Sequence, residues 1–267
     1  MTKRGMPVTT SLPARFTRTV RGSGPGLLLA HGAGGGIEAN YGPILEGLAA
    51  RNTVVGVDYP GSGATPRAQS PLELDELADR LVAAADAEGL GTFAVSGYSL
   101  GGPVAIRLAA RHPGRVSSLM LSASFARLDA RGDLAASVWQ RLFASGQHSV
   151  LAEYLTMTAL SEGALNALTP AQAHAVAEQT ASAIPSGTGD QVDLVRRADV
   201  RGDLAGIAVP TLVVVTTADP LISPALQRQL ADAIPTARTA ELPTGHLPFV
   251  ERPQEWLKLL SDFVAEN

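Results

Sequence analysis

Residues 97–101 read Gly-Tyr-Ser-Leu-Gly, the pattern G-x-S-x-G, and they decide the fold. The apolar run Thr92–Ser96 before them predicts a strand, and the run Leu100–Arg111 after them predicts a helix. A sharp strand-to-helix turn strains its middle residue and lifts the hydroxyl of Ser99 above the sheet. Glycine is required on both sides because a side chain there would collide with the neighbouring strand or helix. We predict that Ser99 is a nucleophile; the alternative is an idle serine in a glycine-rich turn.

Short apolar runs alternate with amphipathic helices on both sides of this turn. Helices are predicted at Leu72–Ala87 and Pro253–Ala265. Further strands are predicted at Gly26–Ala30, Thr53–Val57, Val116–Ala123, Thr211–Val215 and about Arg238–Leu242. Apolar and polar residues do not alternate regularly in these runs, which is typical of strands buried on both faces. This alternation of strands and helices predicts an α/β class: a mostly parallel, twisted sheet flanked by helices.

Residues 125–205, here called the insertion, interrupt the alternation of strands and helices. Only helices are predicted here, at about Asp133–Ser145, Val150–Leu160, Thr169–Ala183 and Gln191–Ala198. A helical insertion between two strands of a parallel sheet is most simply a cap over the carboxyl edge of that sheet. The predicted division is therefore a core domain of residues 1–124 and 206–267 and a helical cap of residues 125–205.

The composition fits one large α/β domain with an insertion. The chain has 267 residues, of which 45% are hydrophobic and 17% charged, which excludes disordered and collagen-like chains. With 21 basic and 25 acidic residues the net charge is -4, so neither nucleic acid nor an anionic membrane surface is an expected partner. The absence of cysteine excludes disulfides and cysteine nucleophiles.

Targeting signals are not apparent either. The charges at Lys3 and Arg4 are not followed by an apolar stretch, so no signal peptide is expected. Apolar runs such as Leu27–Ala30 and Leu212–Val215 are too short to span a bilayer. We therefore expect a cytoplasmic protein without a membrane partner, while its oligomeric state stays open.

A nucleophilic serine needs a base, and His246 is the best placed of five histidines. It lies in the loop Thr244–Pro248 between the last strand and the last helix, at the edge where Ser99 also emerges. Of the remaining histidines, His112 fits a helix end and His31 fits a brace in a glycine-rich turn. His148 and His174 lie in the insertion, where neither has an acidic residue at a spacing that indicates a catalytic pair.

The base in turn needs an acid, and Asp219 follows the strand Thr211–Val215 at the same edge. The alternative for Asp219 is an Asp-Pro turn residue without a catalytic role. Asp129 is a weaker candidate for the acid. The order Ser99, Asp219, His246 is expected of one sheet architecture and of neither serine-protease fold.

Two backbone N–H groups should bind the oxyanion of the reaction. One is that of Leu100, after the nucleophile, and the other is that of Ala33, in the turn after the first strand. That turn, Gly32–Ile37, lacks the Lys-Ser/Thr of a phosphate loop and the last glycine of the dinucleotide fingerprint. No group of His, Asp and Glu has metal-ligand spacing, so neither cofactor nor metal is expected.

Six apolar or aromatic residues are candidates for a substrate pocket. Tyr98 and Leu247 flank the proposed nucleophile and base. Four more come from the insertion: Trp139, Phe143, Tyr154 and Met157. The alternative for these four is that they only hold the insertion helices together, and the spacing of Trp139 and Phe143 favours a packing pair.

Several motifs resemble one family. His31–Gly34 resembles its oxyanion turn, Asp58–Gly63 its D-x-P-G-x-G loop, and Gly97–Gly102 its nucleophile turn. Gly245–Pro248, with Glu251-Arg252-Pro253 behind it, is similar to its usual ending. On these motifs the chain is identified as a member of the α/β-hydrolase superfamily. The resemblance is to the branch of small cap-bearing bacterial esterases, thioesterases and perhydrolases without a cofactor.

The resemblance agrees with the residues on mechanism and implies a serine hydrolase with a helical cap. The expected substrate is a carboxylic ester or acyl thioester of a small to medium hydrophobic molecule, free or carrier-bound. Thr216-Thr217 precede the acid where many relatives have glycine, a small departure. Two alternatives stay open: a different enzyme on the same residues, such as an acyltransferase, cyclase, lyase or perhydrolase, and a ligand-binding protein without activity.

Overall fold

A computed structural model gives the coordinates, and it describes residues 16–267. The expectation of no signal peptide, which concerns the stretch around Lys3 and Arg4, lies outside the described residues.

A seven-stranded sheet forms the centre of the molecule, in the order β1-β3-β2-β4-β5-β6-β7. The strands are β1 Arg18–Arg21, β2 Gly26–Ala30, β3 Thr53–Val57, β4 Phe93–Tyr98, β5 Val116–Ser122, β6 Thr211–Thr216 and β7 Ala237–Leu242. Strand β1 pairs antiparallel with β3, and the other pairings are parallel. The predicted fold class is therefore confirmed. Strand β1 was not predicted because its four residues, Arg-Thr-Val-Arg, carry little apolar signal at an edge.

Helices connect the strands and cover both faces of the sheet. Their bounds are α1 Ile37–Ala49, α2 Leu74–Ala87, α3 Gly101–Arg111, α4 Ala130–Ala144, α5 His148–Ala159, α6 Glu162–Asn166, α7 Pro170–Ala183, α8 Thr188–Arg197, α9 Arg201–Leu204, α10 Pro224–Asp232, α11 Pro248–Glu251 and α12 Pro253–Glu266. Helices α1 and α10 were not predicted, and neither were the short helices α6, α9 and α11. In α1 the reason is Pro43, which lies inside the helix and indicates a break in the sequence pattern.

The core has two layers that meet at the sheet. Leu27 and Leu29 face the layer of α1 and α12, whereas Leu28 faces the layer of α2 and α3. All three side chains are fully buried. Because both faces of the sheet are buried, polar and apolar residues do not alternate along its strands. The strand ends are therefore the places where polar groups can gather.

The insertion contains helices α4–α9 between β5 and β6. The four predicted helices correspond to α4, α5, α7 and α8, and Thr169 forms the expected capping box at the start of α7. An isolated bridge between Arg127 and Asp199 joins the two ends of the segment. The division into core and cap stays a prediction. Within residues 16–267, no helix is both long and apolar enough to cross a membrane.

Packing at the start of α3 should tolerate no extra atom. A Cβ on Gly101 would lie 1.9 Å from the backbone oxygen of Ala30 in β2. We expect Gly101→Ala to lower the free energy of unfolding in urea by at least about 3 kcal/mol, since backbone must move. The control is Gly114→Ala, where a Cβ meets nothing within 4 Å. Equal stability of the two variants would contradict the packing argument.

Candidate active site

Ser99 occupies the strained turn that the sequence predicts. It lies between β4 and α3 with a φ of 52°, in the left-handed region that L-residues rarely adopt. Its N–H donates to the backbone oxygen of Ser122 at 3.0 Å, and its own carbonyl accepts from Ser124 Oγ at 2.9 Å. A Cβ on Gly97 would lie 2.4 Å from the oxygen of Gly101, so the steric reason for both glycines is confirmed.

The structure brings Ser99, His246 and Asp219 into one hydrogen-bonded chain. His246 Nε2 lies 3.0 Å from Ser99 Oγ, and His246 Nδ1 lies 2.8 Å from Asp219 Oδ2. Because an ionised carboxylate only accepts, Nδ1 carries the proton and Nε2 is left to accept from the serine hydroxyl. The three residues follow β4, β7 and β6 at the carboxyl edge of the sheet and are buried. This arrangement can move a proton from a hydroxyl to an imidazole.

The Asp219 carboxylate is held by donors from its own loop. Its Oδ1 accepts from the N–H groups of Leu221 and Ile222, each at 2.9 Å, and its Oδ2 also accepts from Thr216 Oγ1 at 2.9 Å. The fully buried amide of Gln227 completes this network, with Nε2 2.7 Å from Thr216 Oγ1 and Oε1 3.0 Å from Thr216 N. Sequence reasoning missed Gln227 because helix α10 was itself not predicted.

The loop that carries His246 is tied to the insertion. The His246 N–H donates to Ala159 O at the end of α5, at 2.7 Å, and the Tyr98 hydroxyl donates to His246 O at 2.9 Å. Glu251 joins the two segments, because its Oε1 accepts from Gly245 N and its Oε2 accepts from Ser161 Oγ at 2.6 Å. In the sequence Glu251 stands only as part of an ending motif, and no signal there indicates this contact.

The N–H groups of Ala33 and Leu100 are available to a ligand. Neither finds an acceptor among residues 16–267. The carbonyl of Gly32, in the same peptide as the Ala33 N–H, accepts from His31 Nδ1 at 2.8 Å. Since the C=O and N–H of a trans peptide point in opposite directions, this bond turns the Ala33 N–H away from His31. Ala33 borders the same cavity as Ser99.

His31 braces the turn, as expected from the sequence. Its Nε2 accepts from the N–H of Tyr59 at 2.9 Å, and the two rings stack with centroids 3.8 Å apart. Full burial lowers the pKa of His31 from 6.5 to about 4, because a charged imidazole loses its hydration there. The ring is therefore neutral near pH 7 and keeps the tautomer that donates to Gly32.

A cavity of about 620 Å³ opens onto Ser99 and His246. Tyr98, Trp139 and Leu247 border it. The insertion supplies ten further lining residues, of which Thr156, Gln179 and Thr180 are polar and seven are apolar: Leu155, Ala159, Leu160, Ala164, Leu168, Val176 and Ala183.

Three of the predicted pocket residues do not border this cavity, which corrects the prediction. Phe143 stacks on His148 with ring centroids 5.3 Å apart. The Tyr154 hydroxyl donates to Ala135 O at 2.9 Å and so joins α5 to α4. Met157 is 58% exposed on the outside of the insertion. Helical spacing predicts which residues share a face but not which partner that face meets.

The weaker candidates have other contacts. Asp129 caps α4, since its Oδ1 accepts from Gly132 N at 2.7 Å, and this excludes it as the acid partner of His246. His112 pairs with Asp79 at the surface. No cluster of three or more His, Asp or Glu side chains that could hold a metal ion is found in the part of the chain that the structure describes.

Comparisons with known proteins show the family to which the chain is similar. A family model described as alpha/beta hydrolase fold matches residues 25–253. A pyrrolizixenacetamide deacetylase of Xenorhabdus hominickii is 32% identical, covering 95% of this chain and 96% of the relative. A pimeloyl-[acyl-carrier protein] methyl ester esterase of Neisseria meningitidis is also 32% identical, covering 83% and 86%. The crystal structure of a hydrolase from Pseudomonas aeruginosa superimposes with a TM-score of 0.81 at 26% identity, covering 96% and 97%.

Burial of His31 predicts a pH dependence of stability. Its folded pKa of about 4 lies below 6.5, so between these values the unfolded chain binds a proton that the folded chain does not. The stabilisation is fully present above pH 6.5 and is lost as the pH falls through 4. From pH 7 to 5 we expect His31 to account for a loss of about 2 kcal/mol in the free energy of unfolding.

Urea unfolding at both pH values measures this loss. His31→Asn should show a smaller loss than the unsubstituted protein, whereas the exposed control His174→Asn should keep the full one. Parallel pH dependence in all three proteins would rule out His31 as the cause.

Proposed function

The chain belongs to the α/β-hydrolase family and is an enzyme of the hydrolase type, and on that premise we propose that it cleaves a carboxylic ester or acyl thioester of a small to medium hydrophobic substrate. The proposed reaction passes through an acyl-enzyme on Ser99. One observation carries the proposal: His246 contacts both Ser99 Oγ and Asp219 Oδ2 at hydrogen-bond distance, beside an apolar cavity.

In the first half of the proposed reaction, His246 Nε2 takes the hydroxyl proton as Ser99 Oγ attacks the acyl carbon. Asp219 stabilises the imidazolium that forms. The carbonyl oxygen becomes an oxyanion, which the N–H groups of Ala33 and Leu100 bind. His246 then gives its proton to the leaving alkoxide or thiolate, and the acyl group stays on Ser99.

In the second half, water replaces the leaving group. His246 takes a proton from the water as its oxygen attacks the acyl carbon, and the same two N–H groups bind the second oxyanion. The bond to Ser99 Oγ breaks, His246 returns the proton to that oxygen, and the carboxylic acid leaves. The burial of the whole hydrogen-bonded chain keeps each proton transfer short and out of bulk solvent.

The lack of cationic side chains in the cavity wall supports an uncharged substrate. None of the residues that line the cavity is Lys or Arg, and residues 142–195, which supply much of its wall, contain neither. The carboxylate of Glu251 borders the cavity but is used by the N–H groups of Gly245 and Ser161. A carrier-bound acyl group would bring an anionic phosphodiester to the cavity opening, and no Lys or Arg lines that cavity to bind it. We therefore favour a free substrate, although the Neisseria relative is named for a carrier-bound ester.

A second candidate reaction is hydrolysis of a small N-acyl amide. The Xenorhabdus relative, similar over 95% of this chain, is named as a deacetylase of an acetamide. The same residues would serve, with His246 protonating an amine as it leaves.

Removal of the nucleophile tests the proposal directly. We expect Ser99→Ala to lower kcat on p-nitrophenyl esters by at least about 1000-fold, because only binding and the oxyanion donors remain. A fluorophosphonate should label Ser99 in the unsubstituted protein, as read by mass spectrometry of the peptide. Ser117→Ala, an exposed position on β5, is the control and should keep full activity. Undiminished turnover by Ser99→Ala would end the proposal.

A matched pair of esters tests whether the enzyme prefers an uncharged acyl group. We expect kcat/KM to be at least about tenfold higher for p-nitrophenyl butyrate than for p-nitrophenyl hemisuccinate, because the second ester brings a carboxylate to a wall without cations. Butyryl thioester and p-nitrobutyranilide, assayed alongside, separate ester, thioester and amide cleavage. Equal rates on the neutral and anionic esters would refute the charge argument, and product analysis by chromatography distinguishes hydrolysis from acyl transfer.

A further inference from the structure

The insertion places one buried amide against the turn that carries Ala33. Gln191 on α8 is fully buried, and its Oε1 accepts from the Gly34 N–H at 2.9 Å. Its Nε2 donates to Ser62 Oγ at 2.8 Å and to Pro60 O at 3.2 Å. The amide therefore bridges this turn and the loop after β3. The sequence carries no signal for this contact, because Gln191 is distant in the chain from both segments.

The orientation of this amide is fixed by its partners. Both hydrogens on Nε2 go to acceptors, so Oε1 must face the turn. Ser62 Oγ, which accepts from Gln191, donates in turn to Gly35 O at 2.5 Å. Reversing the amide would place its oxygen against the Ser62 and Pro60 acceptors and its NH₂ group against the Gly34 N–H.

We propose that Gln191 is a positioning residue for the oxyanion donors, an inference that rests on the proposed function. His31 fixes the Gly32–Ala33 peptide through its carbonyl, and Gln191 fixes the Ala33–Gly34 peptide through its N–H. Ala33 thus lies between two peptide planes that are each held by a buried side chain. Its own N–H stays directed toward the ligand, while the Gly34 N–H is withdrawn from it.

Loss of the Gln191 acceptor would release the second of these planes. Gly34 has a φ of 69° and no Cβ, so the peptide before it can rotate at little steric cost. With that plane free, the Ala33 N–H is held only from the His31 side. A donor that is held less firmly loses the most where charge develops, in the transition state, and little in substrate binding. The effect should therefore appear in kcat rather than in KM.

Docking of α8 does not depend on Gln191 alone. The Gly187 N–H donates to Gly61 O at 3.1 Å, just before the helix begins. Arg67 and Asp190 form a bidentate ion pair, with the closest atoms 2.8 Å apart. Because these contacts remain, a substitution of Gln191 should act locally. Asp190→Asn provides a matched control, since it removes the ion pair between α8 and the same loop region without touching the turn.

The main test compares Gln191→Met, which has similar volume but no amide, with Asp190→Asn. We expect Gln191→Met to lower kcat on p-nitrophenyl butyrate about tenfold with KM changed by less than about twofold. Its affinity for an alkyl boronic acid, which forms a tetrahedral adduct on Ser99, should fall by the same factor as kcat. Asp190→Asn should change both quantities by less than about twofold. Unchanged kcat, a loss in KM alone, or equal losses in both variants would overturn the inference.

A second variant keeps the test valid if Gln191→Met does not fold. In Gln191→Glu the protonated carboxyl still offers a C=O acceptor and one O–H donor, whereas the ionised form loses its donors and adds a charge near the oxyanion. Burial should raise the pKa of the introduced carboxyl above its ordinary value of about 4.3. The ratio of its kcat to that of the unsubstituted enzyme should therefore rise as the pH falls. A ratio that does not vary with pH would contradict the proposed role.

Failure of the two proposals can be told apart. If the unsubstituted protein neither cleaves the esters nor is labelled by a fluorophosphonate, the proposed function fails and the role of Gln191 fails with it. If it does both and the variants lack the expected pattern, only the role of Gln191 fails.

Discussion

The strained turn at Ser99 is the constraint on which the rest of the site depends. A left-handed conformation costs an L-residue about 1–2 kcal/mol, so it persists only where the surroundings enforce it. Here the backbone of Ser99 is held by Ser122 and Ser124, and the tight approach of Gly97 to Gly101 leaves no room for a relaxed turn. The strain holds the hydroxyl at the carboxyl edge of the sheet, where the strands β6 and β7 also end.

Two buried networks organise the groups around that hydroxyl. On one side Gln227 and Thr216 hold the Asp219 carboxylate, and on the other side Gln191 and His31 hold the turn of Ala33. A glutamine amide is suited to both places because it donates twice and accepts at the same time, so a buried network can be fully satisfied. A neutral imidazole likewise donates with one nitrogen and accepts with the other, as His31 does here. Burial keeps His31 neutral by lowering its pKa.

The insertion contributes more than lining residues to the cavity. Its helix α5 ends where Ala159 O accepts from the N–H of His246, and Ser161 shares the Glu251 carboxylate with Gly245. Together with the Gln191 amide on α8, these contacts tie the insertion both to the loop of His246 and to the turn of Ala33. The insertion therefore contributes to the geometry of the site as well as to the wall of the cavity.

The sequence by itself determined the α/β class, the insertion and the residues that meet at the sheet edge. Buried parallel strands read as apolar runs, and the residues after each run must emerge at one edge, so Ser99, Asp219 and His246 could be brought together without coordinates. Only the tertiary structure decided which side chains face the cavity and which amides hold the backbone around it. Gln191 lies far along the chain from Gly34, and a polar residue in a helix looks solvated until its partner is known. The physical reason is that periodicity encodes burial along one element, whereas a hydrogen bond between elements depends on how they pack.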